Sequence, residues 1–545
     1  MLNSIVSAQN LYLKIKGIST SETKTIDSIG YKAAHINLKT LVEEGNLFVE
    51  KLTKIGYIEY DLSENKQIND STFGFQIGLG KKTDFIHIYT AKNAARNSLY
   101  KSAFGNDSVV VVAIHSIENF MNRTLASLEK SGYSLSKINL INFRKKNNLL
   151  LADLKIDIGT KRLLNDIVID GYSKFPVSHL KNIKRLYKNK VFNLENLKKI
   201  NFDFNAFRFV TQKKFPEILF TKDTTKIYVY LEKSKPNRFD GLLGFSNDKN
   251  SNVQFNGYLD LLLINTLNSG ESFTLFWKSD GNEQKTFNAA LELPYIFKSR
   301  FGLKTSLNIF KQDSTFQNTK TNIDVGYMFN YNTRLYLGYQ SAESSDIQNK
   351  NNFSISDFKN AFTTLDFEFT DFKSDDYLFP EKTKISLKTG LGSRNSKLSV
   401  NKQLFFEINL KHNIYLNSKN SFNLKSQNYY LKSDVFIINE LYRFGGINSI
   451  RGFNENSLQA NFFSSFLTEY RYLVAPSIYV HTISDYGFFK DSTSNTSGSL
   501  LGIGFGFGIL TKNGLLNMVY ANGSTKNQAI SASNSIVHLK FVTNF

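Results

Sequence analysis

The chain has 545 residues, 41% hydrophobic and 21% charged, with 48 Phe, 27 Tyr, 1 Trp, 32 Gly, 6 Pro and no Cys. That is too long for one ordinary core and too apolar for disorder, and the absence of Gly periodicity, Pro and Cys excludes collagen-like, mucin-like and disulfide-stapled chains. The net charge of +20 is uneven: residues 1–235 hold 37 Lys and Arg against 22 Asp and Glu, and residues 159–235 alone hold 17 against 7.

From the N-terminus, residues 1–8 end in Val6-Ser7-Ala8, the small-x-small pattern of a signal-peptide cleavage site, so they are expected to be the tail of a leader with Gln9 as the mature start. No run approaches the roughly 18 apolar residues of a membrane helix. The longest, Val109 to Ile114, is far too short. If the protein lives in a membrane it crosses as strands, and 75 Phe and Tyr suit a barrel with an apolar band and aromatic girdles.

One pattern then recurs: a strand, a helical stretch ended by a Gly-aromatic break, and two strands. The first copy has a strand over Leu11–Lys16, helical spacing over Ile36–Ile55, a break at Gly56-Tyr57, and strands near Ile58–Leu62 and Thr72–Ile77. The second has Phe85–Tyr89, a helix over Ile117–Lys130, a break at Gly132-Tyr133, and strands near Lys137–Phe143 and Leu149–Ile156. The third has Asp166–Gly171, helices over Val177–Leu186 and Leu194–Ile200, a break at Asn201-Phe202, and strands near Ala206–Val210 and Lys226–Leu231. Gly and Asn tolerate the left-handed conformation that ends a helix, which makes one β-α-α-β-β unit per period. With Gly80 and Gly159 just before the next first strand, the three units resemble polypeptide-transport-associated (POTRA) domains, with expected bounds 9–80, 81–158 and 159–235.

From about Arg238 the period becomes two. Leu365, Phe367 and Phe369 oppose Asp366 and Glu368; Phe406, Ile408, Leu410, Ile414 and Leu416 oppose Glu407, Asn409, Lys411 and Asn413; Ile503, Phe505, Phe507 and Ile509 alternate with glycines. One apolar face and one polar or glycine face fit a lipid-facing exterior around a wet lumen, in about 16 antiparallel strands over residues 236–545. The closing strand carries Val537, Leu539, Phe541 and the terminal Phe545 on one face, with Thr543 departing from the alternation. The fold class expected is therefore α+β repeats followed by an all-β transmembrane barrel.

The most specific local signal is Gly445-Gly446-Ile447-Asn448-Ser449-Ile450-Arg451-Gly452-Phe453. It resembles the Val/Ile-Arg-Gly-Phe/Tyr loop of the outer-membrane-protein assembly superfamily, of the BamA and TamA type, in which a long extracellular loop folds back into the lumen. Ile483-Ser484-Asp485-Tyr486-Gly487 resembles that family's Phe-x-Asp-x-Gly strand motif, with Ile483 where Phe is usual, and Glu469-Tyr470-Arg471 matches a strand between the two. A guanidinium held inside needs carboxylate partners that meet its planar donors. The resemblance implies that Arg451 pins the loop to Asp485, with Glu469 and Gly487 as further partners. Three repeats and a barrel of this size are more similar to the TamA arrangement than to BamA.

Catalysis is not expected. The seven histidines are scattered, with no HExxH, phosphate loop or Gly-x-Ser-x-Gly elbow, and a chain without Cys has no thiol nucleophile or zinc-thiolate site. No catalytic residue, metal or cofactor is assigned. The resemblance implies a non-enzymatic factor that helps other β-barrel proteins fold and insert into, or polypeptides cross, the bacterial outer membrane, with its repeats in the periplasm. Such a factor would take client strands by strand addition on the repeats and at a seam between the first barrel strand, near Arg238–Ser246, and the last, Ser535–Phe545. Its partners would be unfolded outer-membrane protein clients, outer-membrane lipid, and a periplasmic or inner-membrane-anchored accessory protein at the repeats. The alternatives are a two-partner-secretion export pore and, in another class, a passive porin or adhesin barrel. The basic third repeat points to anionic lipid or an acidic partner, or is a solvated lysine surface. Without a helix-turn-helix, zinc finger or paired aromatic motif, nucleic acid is not expected.

Overall fold

Leu13 and Ile15 alternate with Lys14 and Lys16, and that period of two makes β1 (Leu11–Gly17) a strand with one buried face. The computed structural model describes residues 10–90, 109–146, 149–247, 253–279, 284–351, 354–373, 376, 378–397, 399–511, 514–526, 528–531 and 535–544. The expected leader remnant, residues 1–8, and Phe545 lie outside them. The chain forms two units, residues 1–164 with 189–197 and residues 165–188 with 198–545.

In the first unit β1 is followed by α1 (Thr20–Ile29), β2 (Ala34–His35), α2 (Leu38–Ile55), β3 (Asp61–Asn69) and β4 (Thr72–Gly78). The sheet runs β2-β1-β4-β3, with β1 and β4 parallel, over a core of Leu13, Ile15, Ile26, Leu41, Phe48, Leu52, Ile77 and Leu79. Helix α1, unmarked in the sequence reading, starts with a capping box: the Ser19 hydroxyl accepts from the Glu22 amide, and the Glu22 carboxylate accepts from the Ser19 amide. That donor first, with the Leu79 and Ile18 amides, holds the Glu22 carboxyl below the usual range against the opposing effect of burial. Helix α2 ends on Gly56 at φ 111°, as its Gly-Tyr break requires.

The second sheet has β5 (Phe85–Thr90), β6 (Val109–Ala113), β7 (Lys137–Lys146) and β8 (Leu149–Asp157) in the order β6-β5-β8-β7, with α3 (Ile117–Lys130) against it. The two additional strands correct the β-α-α-β-β reading. The pair Ala34–His35 and the apolar run Val109–Ala113 each pair with the first strand of their sheet and cover its edge.

The third repeat has β9 (Asp166–Asp170), α4 (Val177–Tyr187), α5 (Leu194–Asn205), β10 (Val210–Gln212), β11 (Glu217–Phe220) and β12 (Thr225–Lys233). Here the expected break at Asn201 is wrong. Ile200 and Phe204, four residues apart and fully buried, keep α5 helical past Asn201. The expected strand over Ala206–Val210 is instead a turn that buries Phe207 and Phe209 against Phe175, and the strand starts at Val210.

The barrel strands are β13 (Arg238–Asn247), β14 (Val253–Ile264), β15 (Ser272–Ser279), β16 (Lys285–Leu293), β17 (Phe301–Gln312), β18 (Phe316–Met328), β19 (Thr333–Asp346), β20 (Phe358–Phe372), β21 (Glu381–Ser396), β22 (Val400–Tyr415) and β23 (Asn420–Lys432). Within the next connection lie β24 (Tyr442–Phe444) and β25 (Leu458–Ala460). The barrel resumes with β26 (Phe462–Ala475), β27 (Ile478–Asp491), β28 (Thr496–Thr511), β29 (Gly514–Thr525) and β30 (Ser535–Asn544). These sixteen barrel strands are antiparallel to their neighbours and close on themselves.

Leu365 is 46% exposed and its neighbour Asp366 5%, so the apolar face points outward. Leu410, Ile414, Ile503 and Phe505 are exposed likewise, while Asp324, Asn413 and Asp485 are buried inside. An apolar outer face around a polar interior is the pattern of a barrel that crosses a membrane. Closure is uneven. β13 pairs with β14 from Arg238 opposite Leu262 to Asn247 opposite Val253, whereas with β30 the pairing among the described residues is Arg238 with Asn544 and Phe239 with Thr543.

The third repeat is joined to the barrel turns by aromatic packing. His179 of α4 is fully buried, its ring 4.8 Å from Tyr295, 5.4 Å from Phe207, 5.6 Å from Phe209 and 5.7 Å from Tyr331. Gly270 lies so close that a Cβ there would overlap the imidazole. Asn265 donates to the Tyr172 hydroxyl at 3.0 Å, and Asn182 donates to the Ser299 carbonyl at 2.9 Å. Burial first, then the Arg334 guanidinium, pushes the His179 pKa down to about 3. An undocked ring, near its ordinary 6.5, takes up a proton before the docked one does, so the contribution of this contact is complete above about pH 6.5 and is lost as pH falls toward about 3. Hydrogen exchange of the α4 amides is expected to accelerate on going from about pH 7 to about pH 4 once the intrinsic rate is divided out. Equal protection at both values would contradict the assignment.

Candidate functional site

The connection between β23 and β26 runs inward. Its hairpin pairs Tyr442, Arg443 and Phe444 with Ala460, Gln459 and Leu458. Phe444 stacks on Phe463 with centroids 4.0 Å apart, and Tyr442 stacks on Tyr429 at 4.6 Å. With Ile450, Leu467 and Leu500 these rings form an apolar cluster, which gives an otherwise polar loop a reason to stay inside. After the hairpin strand the chain turns through Gly445 at φ 105° and Gly446 at φ 97°. A Cβ on Gly445 would come within 2.5 Å of the Asn454 carbonyl oxygen, so the turn requires glycine for both conformation and space.

That turn delivers Arg451 to the wall formed by β26 and β27. Alternation along β26 turns Leu467, Glu469 and Arg471 inward, and along β27 it does the same for His481, Ile483 and Asp485. Arg451 Nε donates to Asp485 Oδ2 at 2.7 Å, Nη2 donates to Oδ1 at 2.5 Å, and the Arg451 amide adds a third bond to Oδ2 at 3.1 Å. Arg451 Nη1 also pairs with Glu469. The other Glu469 oxygen accepts from Arg471 Nε at 2.8 Å and Nη2 at 2.5 Å. Arg471 in turn stacks over Phe379 at 4.0 Å and donates to Asn413 at 3.2 Å. Asp485 is 0% and Arg451 3% exposed, so two guanidiniums and two carboxylates form a buried set without net charge.

Gly487, Gly452 and two unanticipated glycines act by making room. A Cβ on Gly487 would overlap Ile450 Cδ1, one on Gly502 would overlap the Arg451 carbonyl, and Gly452, at φ 87°, lies against Gly523 of β29. Gly487 therefore makes space for Ile450, while the polar partners are Asp485 and Glu469. Phe453 lies over Gly523 at the edge of the cluster. Val537, Leu539 and Phe541 are not part of this set; they sit exposed on the outer face of β30.

A second anchor was not legible in the sequence. Glu440, on the arm of the loop before the hairpin, pairs with fully buried Arg394 of β21 and accepts from Gln403 of β22 at 2.8 Å. Beside it Asn439 donates to Ser344 at 2.7 Å and to the Ser356 carbonyl at 2.8 Å, and its own carbonyl accepts from Asn318 at 2.6 Å. Glu455 at the loop's far end pairs with Lys278 of β15. No local motif announces these residues; only the inward parity of Arg394 and Gln403 offered a signal. The arrangement holds a loop within the lumen from several walls.

The model of the Omp85 superfamily domain matches residues 265–531. Among solved structures, CdiB from Acinetobacter baumannii is similar with a TM-score of 0.53 and 14% identity, over 92% of this chain and 97% of that one. CdiB from Escherichia coli gives 0.51 and 12%, over 86% and 92%. BamA from Haemophilus ducreyi lacking POTRA domains 1-3 gives 0.47 and 14%, over 84% and 99%. No curated protein sequence matches the chain.

Replacing Arg451 with Ala strands the buried Asp485 carboxylate, while Glu469 keeps Arg471, and is expected to cost about 3–5 kcal/mol. Thermal loss of the folded barrel's fast gel migration would register it, with Arg451→Lys intermediate because an ammonium lacks the fork. Gly487→Ala should destabilise by displacing Ile450, and Ile450→Ala in the same chain should recover part of the loss. Additive losses in that double variant would reject the space-making role.

Proposed function

The barrel of this chain is an Omp85 superfamily domain, and on that premise we propose that the protein inserts client β-barrel proteins into the bacterial outer membrane. The repeats at 9–80, 81–158 and 159–235 serve as POTRA-type domains on the periplasmic side. They receive extended client segments at open sheet edges, main chain to main chain, which demands little sequence specificity. β3 and β7 are such edges.

The observation that carries this reading is the seam, where among the described residues β13 and β30 meet through two residues each while β13 and β14 pair along their whole length. Opening a barrel in lipid exposes backbone groups that nothing else satisfies. The line with the least pairing is where opening costs least. The Arg451 anchor stiffens β26 to β29, just short of this seam, so separation is directed to β30 and β13. With no nucleotide motif in the chain, client folding supplies the drive, and the loop motif is read as positioning that wall.

A second reading, export of a dedicated polypeptide through the lumen, draws support from the fold likeness to the two CdiB proteins. It requires the loop to leave the lumen and leaves the seam shut. A chain without Cys makes the distinction testable. Phe239→Cys with Thr543→Cys, facing residues across the seam, should block assembly of client barrels when oxidised and restore it on reduction, in cells depleted of the wild-type protein. Full assembly by the oxidised form would reject the seam step. Loss of one exported polypeptide on depletion, with outer-membrane barrels unaffected, would replace insertion with export.

A further inference from the structure

We propose that α4 and the β16–β17 turn form a lipid-binding surface, which attaches the third repeat to anionic phospholipid headgroups of the periplasmic leaflet. This deepens, and rests on, the reading of the barrel as membrane-spanning with its repeats in the periplasm.

Helix α4 has two faces. His179, Asn182, Ile183 and Tyr187 are buried in the repeat and against the barrel turns. Val177, Lys181 and Arg185, at i, i+4 and i+8, are exposed on the opposite side, and exposed Lys188 follows the helix in the same stripe. The stripe borders the barrel. Asn182, which donates to the Ser299 carbonyl at 2.9 Å, also accepts from Arg185 at 3.2 Å, so the edge of the stripe lies beside the β16–β17 turn. Lys184, toward the other edge, is paired with Asp166, whereas the stripe cations face outward.

The turn has an unusual shape. Tyr295, Phe297 and Lys298 all adopt positive φ, at 56°, 52° and 58°, a region bulky residues rarely enter. Tyr295 is buried against His179, but Phe297 is 97% exposed and Lys298 is exposed next to it. Folding does not use the Phe297 ring, so the conformation serves to present it. Its position explains to what. Four residues on, β17 begins with Phe301, which packs edge-on to Tyr327 at 5.7 Å, and Tyr327 packs on Phe329 at 5.1 Å. Phe301 and Phe329 are half exposed on the outer surface, as girdle residues at a membrane interface are. Four residues reach at most about 13 Å, so Phe297 and Lys298 lie at headgroup depth beside that girdle. An exposed aromatic ring among cations is the combination that an anionic interface binds, the ring entering the acyl boundary and the cations meeting phosphate.

The full chain, which has no native cysteine, is labelled with a polarity-sensitive dye at Val177→Cys and refolded into vesicles of phosphatidylcholine alone or of an equal mixture with phosphatidylglycerol. The dye emission is expected to shift to the blue only with phosphatidylglycerol. High salt should reverse the shift, replacing Lys181, Arg185 and Lys188 with Gln should abolish it, and Phe297→Ser should reduce it. Identical emission in the two vesicle types, or a shift that survives the triple Gln change, would overturn the proposal. A barrel that inserts and still carries client assembly without the shift leaves the insertion reading standing; failure to enter either vesicle overturns both.

Discussion

A single buried guanidinium sets the terms for the rest of this barrel. Charge buried away from water is tolerated only when it is neutralised and its donors are satisfied, and Arg451 meets both conditions by taking Asp485 bidentately and sharing Glu469 with Arg471. Those partners sit on neighbouring strands, so the pairing works only at the register that turns Glu469 and Asp485 inward together. The loop's course follows. Glycines at 445, 446 and 452 bend it, and glycines at 487, 502 and 523 clear the wall on which it rests.

This distributes strength unevenly around the barrel. The loop ties β21 and β22 through Glu440, β26 and β27 through Arg451, and β15 through Glu455. Among the described residues the seam between β13 and β30 has two facing pairs and none of these ties. A barrel tied at several strands by one loop and paired at few residues along one line has a preferred place to part. That asymmetry is what the proposed insertion step rests on.

The third repeat is integral to the barrel's mouth. Its fixed position comes from ring packing around His179, made possible by the missing side chain at Gly270. A neutral aromatic contact of this kind orients α4 with its apolar side inward and its cations outward. Of the basic residues in 159–235, Lys181, Arg185 and Lys188 thereby share one exposed face.

Much of the architecture was legible in the chain because periodicity is local. The period-two run through Leu365 to Phe369, the Gly-aromatic helix exits at Gly56 and Gly132, and the helix over Ile117–Lys130 each report on their own neighbours. The small edge strand at Ala34–His35 and the continuation of α5 past Asn201 were not legible, since pairing with β1 in one case and burial of Phe204 in the other decide them. At the site, the loop motif pointed to Arg451 and its carboxylates, but Gly487 proved to make space for Ile450, and the Arg394–Glu440 anchor had no motif at all. Sequence by itself determined the strand and helix periods, the inward and outward faces, and the place of the guanidinium. Only the tertiary structure decided how little of the seam is paired and which distant side chains meet in the lumen, because both depend on register around a closed barrel, a property no local segment contains.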